Sequence, residues 1–221
     1  MEPEILFEDS AITVACKPPM MLSERGDAQE SFAEVLAARN RNGYVGVIHR
    51  LDRGVGGLML YARTPQAAAT LSRDVAEHRV TKEYLAVIHG TPAKTEGRLQ
   101  DLLFFDRTRN KSFVVERTRA GVKEAILDYR VLESVEGTEH GPLSLVAVTL
   151  LTGRTHQIRV QFSSRRHPLL GDGKYGARDR CAIALASYRL RFTHPVTKKE
   201  MTLTRVPEGL PWSQFSVLQA L

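Results

Sequence analysis

Among the 221 residues of the chain, three short segments combine side chains able to do chemistry. The first is Val47-Ile-His49-Arg50-Leu51-Asp52-Arg53-Gly54, running into the apolar stretch Gly57-Leu-Met-Leu-Tyr-Ala62. An aspartate can act as nucleophile, general base or metal ligand, and a charged loop abutting a buried strand holds such a carboxylate rigidly. Asp-Arg-Gly is equally the composition of a plain turn, in which aspartate bonds nearby backbone. The second is Leu151-Thr-Gly-Arg154-Thr-His156-Gln-Ile158-Arg159, where a glycine turn leads into a helix with polar and cationic first residues. That suits an anion or a carboxylate, and His156 and Arg159, at i and i+3, are expected on one face. The alternative is a surface helix with solvated arginines. The third is Lys82-Glu83-Tyr84, where Tyr84 is either a core aromatic or a catalytic one.

These segments need elements to position them. Ala11 to Cys16 reads as a strand ended by Lys17-Pro18-Pro19. Ser31 to Ala38 reads as a helix capped by Ser31. Gly57 to Ala62, apolar on both faces, suits a central, doubly covered strand. Thr64-Pro65 fits an N-cap followed by proline at the first helical position, with Ala68, Leu71 and Val75 on one face. Lys82 to His89 alternates, which puts Tyr84, Ala86 and Ile88 on one side. Strands are expected at 125–132, 143–151, 183–192 and 201–206, and a helix at 155–165 with Ile158 and Phe162 turned inward. With no linker, repeat or abrupt change of composition, the reading is a single α+β domain. Its core would be a mixed, largely antiparallel sheet flanked by helices and loops. Residues 103–123 are expected as a long loop between strands, and long loops in compact domains are commonly functional.

Hydrophobic residues make up 43% and charged residues 25%, which excludes a wholly disordered chain. The formal net charge of +6 is unevenly spread. Residues 103–123 hold six cations against two anions, and residues 152–180 hold seven against two, so the rest of the chain is mildly acidic. Two basic patches on an acidic body form the electrostatic footprint of nucleic-acid binding, although two solvated loops would look the same. The opening residues lack a signal-peptide pattern, and the longest apolar run, Leu143 to Leu151, is too short to span a membrane. The two cysteines, Cys16 and Cys181, form no CxxC pair. These features fit a soluble protein of the cytoplasm, without a zinc ribbon or disulfide framework.

Taken together, the motifs resemble the RluA-type pseudouridine synthase family over nearly the whole chain. His49-Arg50-Leu51-Asp52 with Gly57-Leu58-Met59-Leu60 resembles its catalytic-aspartate motif, and Lys82-Glu83-Tyr84 its Lys-x-Tyr motif. Residues 152–159 and His167-Pro168-Leu169-Leu170-Gly171-Asp172 resemble its C-terminal signature. Ile5-Leu-Phe-Glu-Asp9 with Cys16-Lys17-Pro18 is similar to its opening strand pair, and Phe192-Thr193-His194-Pro195 to its closing one.

The resemblance implies isomerisation of uridine to its C-glycoside in transfer or ribosomal RNA, by a monomer that uses no cofactor or metal. Asp52 would be the nucleophile, at either the sugar C1′ or the uracil C6. Arg159 would be its cationic partner, Tyr84 the aromatic stacked on the target base, and Ile158 part of the apolar wall. Arg50 would enter the position vacated by the flipped base. Arg107, Arg109 and Lys111 in an RNA-wrapping loop, with Arg154, Arg165 and Arg166, would contact phosphates. The chain resembles the family's short form, without an appended N-terminal RNA-binding domain.

There are two departures. Val55-Gly56 stands where the family has Thr-Ser, so an altered turn with retained activity is expected. Met20 occupies the glycine position of Lys-Pro-x-Gly. Two other readings stay open: a non-catalytic RNA-binding module, and a metal-dependent RNA hydrolase using His49, Asp52, His156 and Asp172.

Overall fold

Seven residues without a charged side chain, Gly56–Ala62, form the strand (β4) on which the first of two units is built. The computed structural model describes residues 2–26, 29–41 and 43–220. The first unit comprises residues 1–82 and 186–205, the second residues 83–185 and 206–221.

In the first unit, β1 (Glu4–Glu8) pairs antiparallel with β2 (Ile12–Lys17), which pairs antiparallel with β4 from Ile12 opposite Ala62 to Lys17 opposite Gly57. The short β3 (Gly46–Val47) also lies on β4. The chain returns as β10 (Leu185–Thr193), parallel to β4, and β11 (Glu200–Thr204) closes antiparallel on β10. Every residue of β4 is buried, as an apolar run on both faces requires. Ile12, Val14, Leu58, Leu60, Leu71, Leu190 and Phe192 share one core cluster.

Helix α1 (Phe32–Ala37) carries a full capping box: Ser31 Oγ accepts from Glu34 N–H at 3.3 Å, and Glu34 accepts from Ser31 N–H at 2.8 Å. Helix α2 (Pro65–Ala76) starts as expected, with Thr64 accepting from Ala67 N–H at 3.2 Å and proline in the first turn. It lays Ala67 and Leu71 on the sheet, with Ala68 and Val75 partly buried beside them.

In the second unit the strand order is β5 (Thr81–His89), β9 (Gly141–Leu150), β8 (Val122–Thr138), β6 (Glu96–Asp106), β7 (Lys111–Val115). Strands β9, β8, β6 and β7 pair antiparallel in turn. Helix α3 (Gln157–Ser163) follows β9, and a 3-10 turn at Gly173–Tyr175 follows α3. The α+β class and the mixed, largely antiparallel sheet are those the sequence implies.

Three expectations need correction. Residues 103–123 are mainly a β-hairpin and the start of β8, because Leu102–Phe105 and Ser112–Val115 are aromatic and apolar enough to pair as strands. Their charges ride on the tip, the outer faces and the segment into β8. Strand β5 does not alternate: Glu83 to Ile88 are all buried, so both faces are covered. Helix α3 is shorter than residues 155–165, since His156 adopts a left-handed φ of 56° and forces the helix to begin after it. His156 therefore lies outside the helix and does not share a helical face with Arg159.

Candidate active site

In the first unit the backbone of the Asp52 segment is held before, within and after the turn. Val55 N–H donates to the Asp52 carbonyl at 2.9 Å, closing a tight turn with Asp52 half-buried. Before it, Ser23 makes two bonds to one residue: its hydroxyl accepts from Leu51 N–H at 3.0 Å and donates to the Leu51 carbonyl at 2.8 Å. After it, Gly57 has φ +115° and lies against β10 so closely that a Cβ would come 2.2 Å from the Ser187 oxygen. Only glycine fits there.

His49 anchors the same segment to β4, its Nε2 accepting from Leu60 N–H at 3.1 Å. Complete burial, then the nearby charge of Lys82, push its pKa down to about 3. The ring is thus neutral at pH 7, and acceptance at Nε2 puts its proton on Nδ1. Its role in the His-Arg-Leu-Asp motif is structural. Arg50, on the exposed side of the turn, is salt-bridged to Glu24.

Lys17 is the least expected member of this group. It ends β2 with no exposed surface, and its ammonium donates to the carbonyls of Pro18 at 2.9 Å, Met21 at 2.8 Å and Arg53 at 3.4 Å. Burial pushes its pKa down to about 8, opposed by the charges of Asp52 and Cys16. Sequence reasoning used Lys17 only as a strand terminator and part of a motif. The available signal was a lysine closing an otherwise uncharged strand. Met20, the other departure, has φ +67°, the conformation a glycine there would adopt.

In the second unit Tyr84 is buried on β5 and Ile158 is buried on α3. Arg159 forks onto Asp172, Nε to Oδ2 at 2.7 Å and the second guanidinium nitrogen to Oδ1 at 2.8 Å. Its guanidinium also lies 5.1 Å from the centre of the Tyr175 ring. The Tyr175 hydroxyl accepts from Ser112 N–H at 2.8 Å and lies 3.0 Å from His156 Nδ1, so one phenol joins β7, the start of α3 and the 3-10 turn. Thr152 and Gln157 have structural work as well. Thr152 Oγ1 donates to Gln157 Oε1 at 2.8 Å, and Gln157 Nε2 donates to the Ile126 carbonyl at 3.0 Å.

The predicted phosphate-binding residues divide by partner. Arg165 is bonded twice to Asp101, at 2.8 and 3.1 Å. Arg154 donates to the Glu124 carbonyl at 2.8 Å. Lys111 donates to the Lys174 carbonyl at 2.6 Å, and Lys174 returns the bond to the Asn110 carbonyl at 2.9 Å. The two basic windows of the sequence therefore meet at the hairpin tip. Arg107, Arg109 and Arg166 are exposed, Arg109 within 3.6 Å of Asp106. Among the described residues, no group of three or more His, Cys, Asp or Glu side chains is placed to hold a metal ion. His49, His156 and Asp172, which the hydrolase alternative needs, each have a protein partner already named.

Residues 11–164 match the family model described as RNA pseudouridylate synthase. The chain belongs to this family. It is 34% identical to ribosomal large subunit pseudouridine synthase D of Vibrio cholerae over 89% of this chain and 65% of that protein. It is 32% identical to tRNA pseudouridine synthase C of Haemophilus ducreyi over 92% of this chain and 90% of that one. It thus spans about two thirds of the length of the first relative. Among solved structures, human RNA pseudouridylate synthase domain containing 1 is similar with a TM-score of 0.75 and 26% identity, covering 94% of this chain and 84% of that one. The pseudouridylate synthase match covers the Asp52, Tyr84 and Arg159 segments in one continuous span.

Proposed function

We propose that this protein isomerises uridines in structured RNA to pseudouridine, with Asp52 as nucleophile and both units, residues 1–221, serving one catalytic activity. The observation that carries the reading is the family match over residues 11–164, which contains all three chemistry-bearing segments in order. A rigid, backbone-tied turn under Asp52 supports it, because a nucleophile must be held in near-attack geometry. By their motif positions, Tyr84 stacks on the base, Ile158 walls it, Arg159 serves as the cation toward the nucleophile, and Arg50 takes the place of the flipped base. Stacking of this kind contributes about 1–3 kcal/mol per base. Releasing Arg50 from Glu24 costs little, since an exposed ion pair contributes about 0–1 kcal/mol.

The substrate class we propose is transfer or ribosomal RNA, gripped by Arg107, Arg109, Lys111, Arg154, Arg165 and Arg166. The protein acts as a cytoplasmic monomer, without metal or cofactor. No helix among the described residues is long and apolar enough to cross a membrane.

The test uses RNA labelled with tritium at uracil C5, which isomerisation must release to water without breaking the chain. Release is expected from the parent with or without EDTA, and at least about a thousandfold less from Asp52→Asn. Silence of the parent on bulk cellular RNA would sink the activity. RNA binding without release would leave a binding module, and chain cleavage that EDTA abolishes would restore the hydrolase. Mapping the modified positions then identifies the RNA.

A further inference from the structure

We infer that Lys17 is a positioning residue for the reaction: its ammonium ties the Asp52 turn in place and supplies a buried positive charge acting on the Asp52 carboxylate. The inference rests on the reading of Asp52 as nucleophile. Each of the three hydrogen bonds of Lys17 ends on a neutral carbonyl, two in the segment after β2 and one, Arg53, next to Asp52 itself. These bonds orient the ammonium but leave its charge uncancelled. A tether alone would be cheaper as a neutral donor, because burying a charge is costly unless something opposes it. Asp52 is that opposing charge. The other titratable group acting on Lys17 is Cys16 of its own strand, which in turn faces Glu4 of β1 and Arg205. Arg53 gives Lys17 its carbonyl, while its guanidinium donates to the Met20 carbonyl at 3.3 Å on the exposed side, and Gly57, opposite Lys17 on β4, has no side chain.

Titration separates this role from a purely structural one. Held down to about 8 by burial, Lys17 loses its charge above that pH in the folded protein, whereas the unfolded chain keeps it to 10.5. Between those values the unfolded chain binds more protons, so folding stability rises with pH. Activity and stability should therefore move in opposite directions.

The experiment is single-turnover tritium release from C5-labelled transfer and ribosomal RNA between pH 6.5 and 9.5, with the urea midpoint measured in parallel. In the parent, release should fall about tenfold through a step near pH 8 while the urea midpoint holds or rises. Lys17→Met should already be about tenfold slower at pH 7, with little change in RNA affinity and no step. In case Lys17→Met fails to fold, nitrogen NMR of the Lys17 ammonium provides an independent arm. Its midpoint should lie near 8 in the parent and lower in Asp52→Asn. A parent with no step near 8, or a midpoint unmoved by Asp52→Asn, overturns the role of Lys17 while leaving the enzyme intact. A parent that releases no tritium at all overturns the reading beneath it.

Discussion

At the scale of single residues, the Asp52 turn is built from side chains whose work is to hold backbone. His49 is a neutral acceptor, and its neutrality has a consequence for stability. Its folded pKa is about 3 against 6.5 in the unfolded chain, so between these values the unfolded chain binds more protons. Stability contributed by the neutral ring is therefore complete above pH 6.5 and is lost as pH falls toward 3, by roughly 1 kcal/mol per unit. Urea midpoints over that window should show this slope, and His49→Gln should flatten it. Met20 offers the opposite case. A non-glycine residue in the left-handed region costs about 1–2 kcal/mol, and glycine's extra unfolded-state entropy offsets about 0.5–1 kcal/mol of any gain. Met20→Gly is therefore expected to stabilise the fold by about 0.5–1 kcal/mol, measured by urea unfolding. The motif spacing pointed to Asp52, Tyr84 and Arg159 as candidates. It was blind to Ser23, and it offered Asp172 as part of a signature and as a metal ligand but not as the partner of Arg159, because a double bond to one backbone unit and a fork partner thirteen residues away leave no periodic trace in the chain.

At the scale of elements, the strands with one clear physical signature were readable in advance. Strand β4 announced itself by lacking charge, and α2 by its threonine cap and first-turn proline. The hairpin of β6 and β7 was hidden because its cations dominate the composition, while the apolar residues that pair it, Leu102–Phe105 and Phe113–Val115, form only short runs on either side of the charged tip. The Val55-Gly56 departure finds its explanation at this scale too. Val55 is buried, and a Cβ on Gly56 would come 3.0 Å from the Pro19 ring, so the turn is packed rather than hydroxyl-bonded. Gly57 marks the limit of what that packing allows. Gly57→Ala drives a methyl into the β10 backbone and should cost at least about 3 kcal/mol or prevent folding. Gly173→Ala, with nothing within 4 Å of its added carbon, should stay within about 0.5 kcal/mol by the same unfolding assay.

At the scale of the whole molecule, the net charge of +6 is a poor guide to grip, and partner type is a better one. Arg165, just after α3, faces a carboxylate in Asp101, so Arg165→Ala should be read in stability, through the lost tie to β6, as well as in RNA binding. Arg107, exposed at the hairpin tip, should be read in binding: Arg107→Ala is expected to reduce the slope of log K against log salt by about 1. Lys111 and Lys174 differ from both, since each fastens the other's stretch of chain by its carbonyl, and the Lys111 ammonium also lies 4.9 Å from the centre of the Tyr175 ring. Sixty-three residues apart in sequence, they make one clasp. Chemistry done to either is felt by both stretches, so a change at Lys174 is in effect a change in the hairpin.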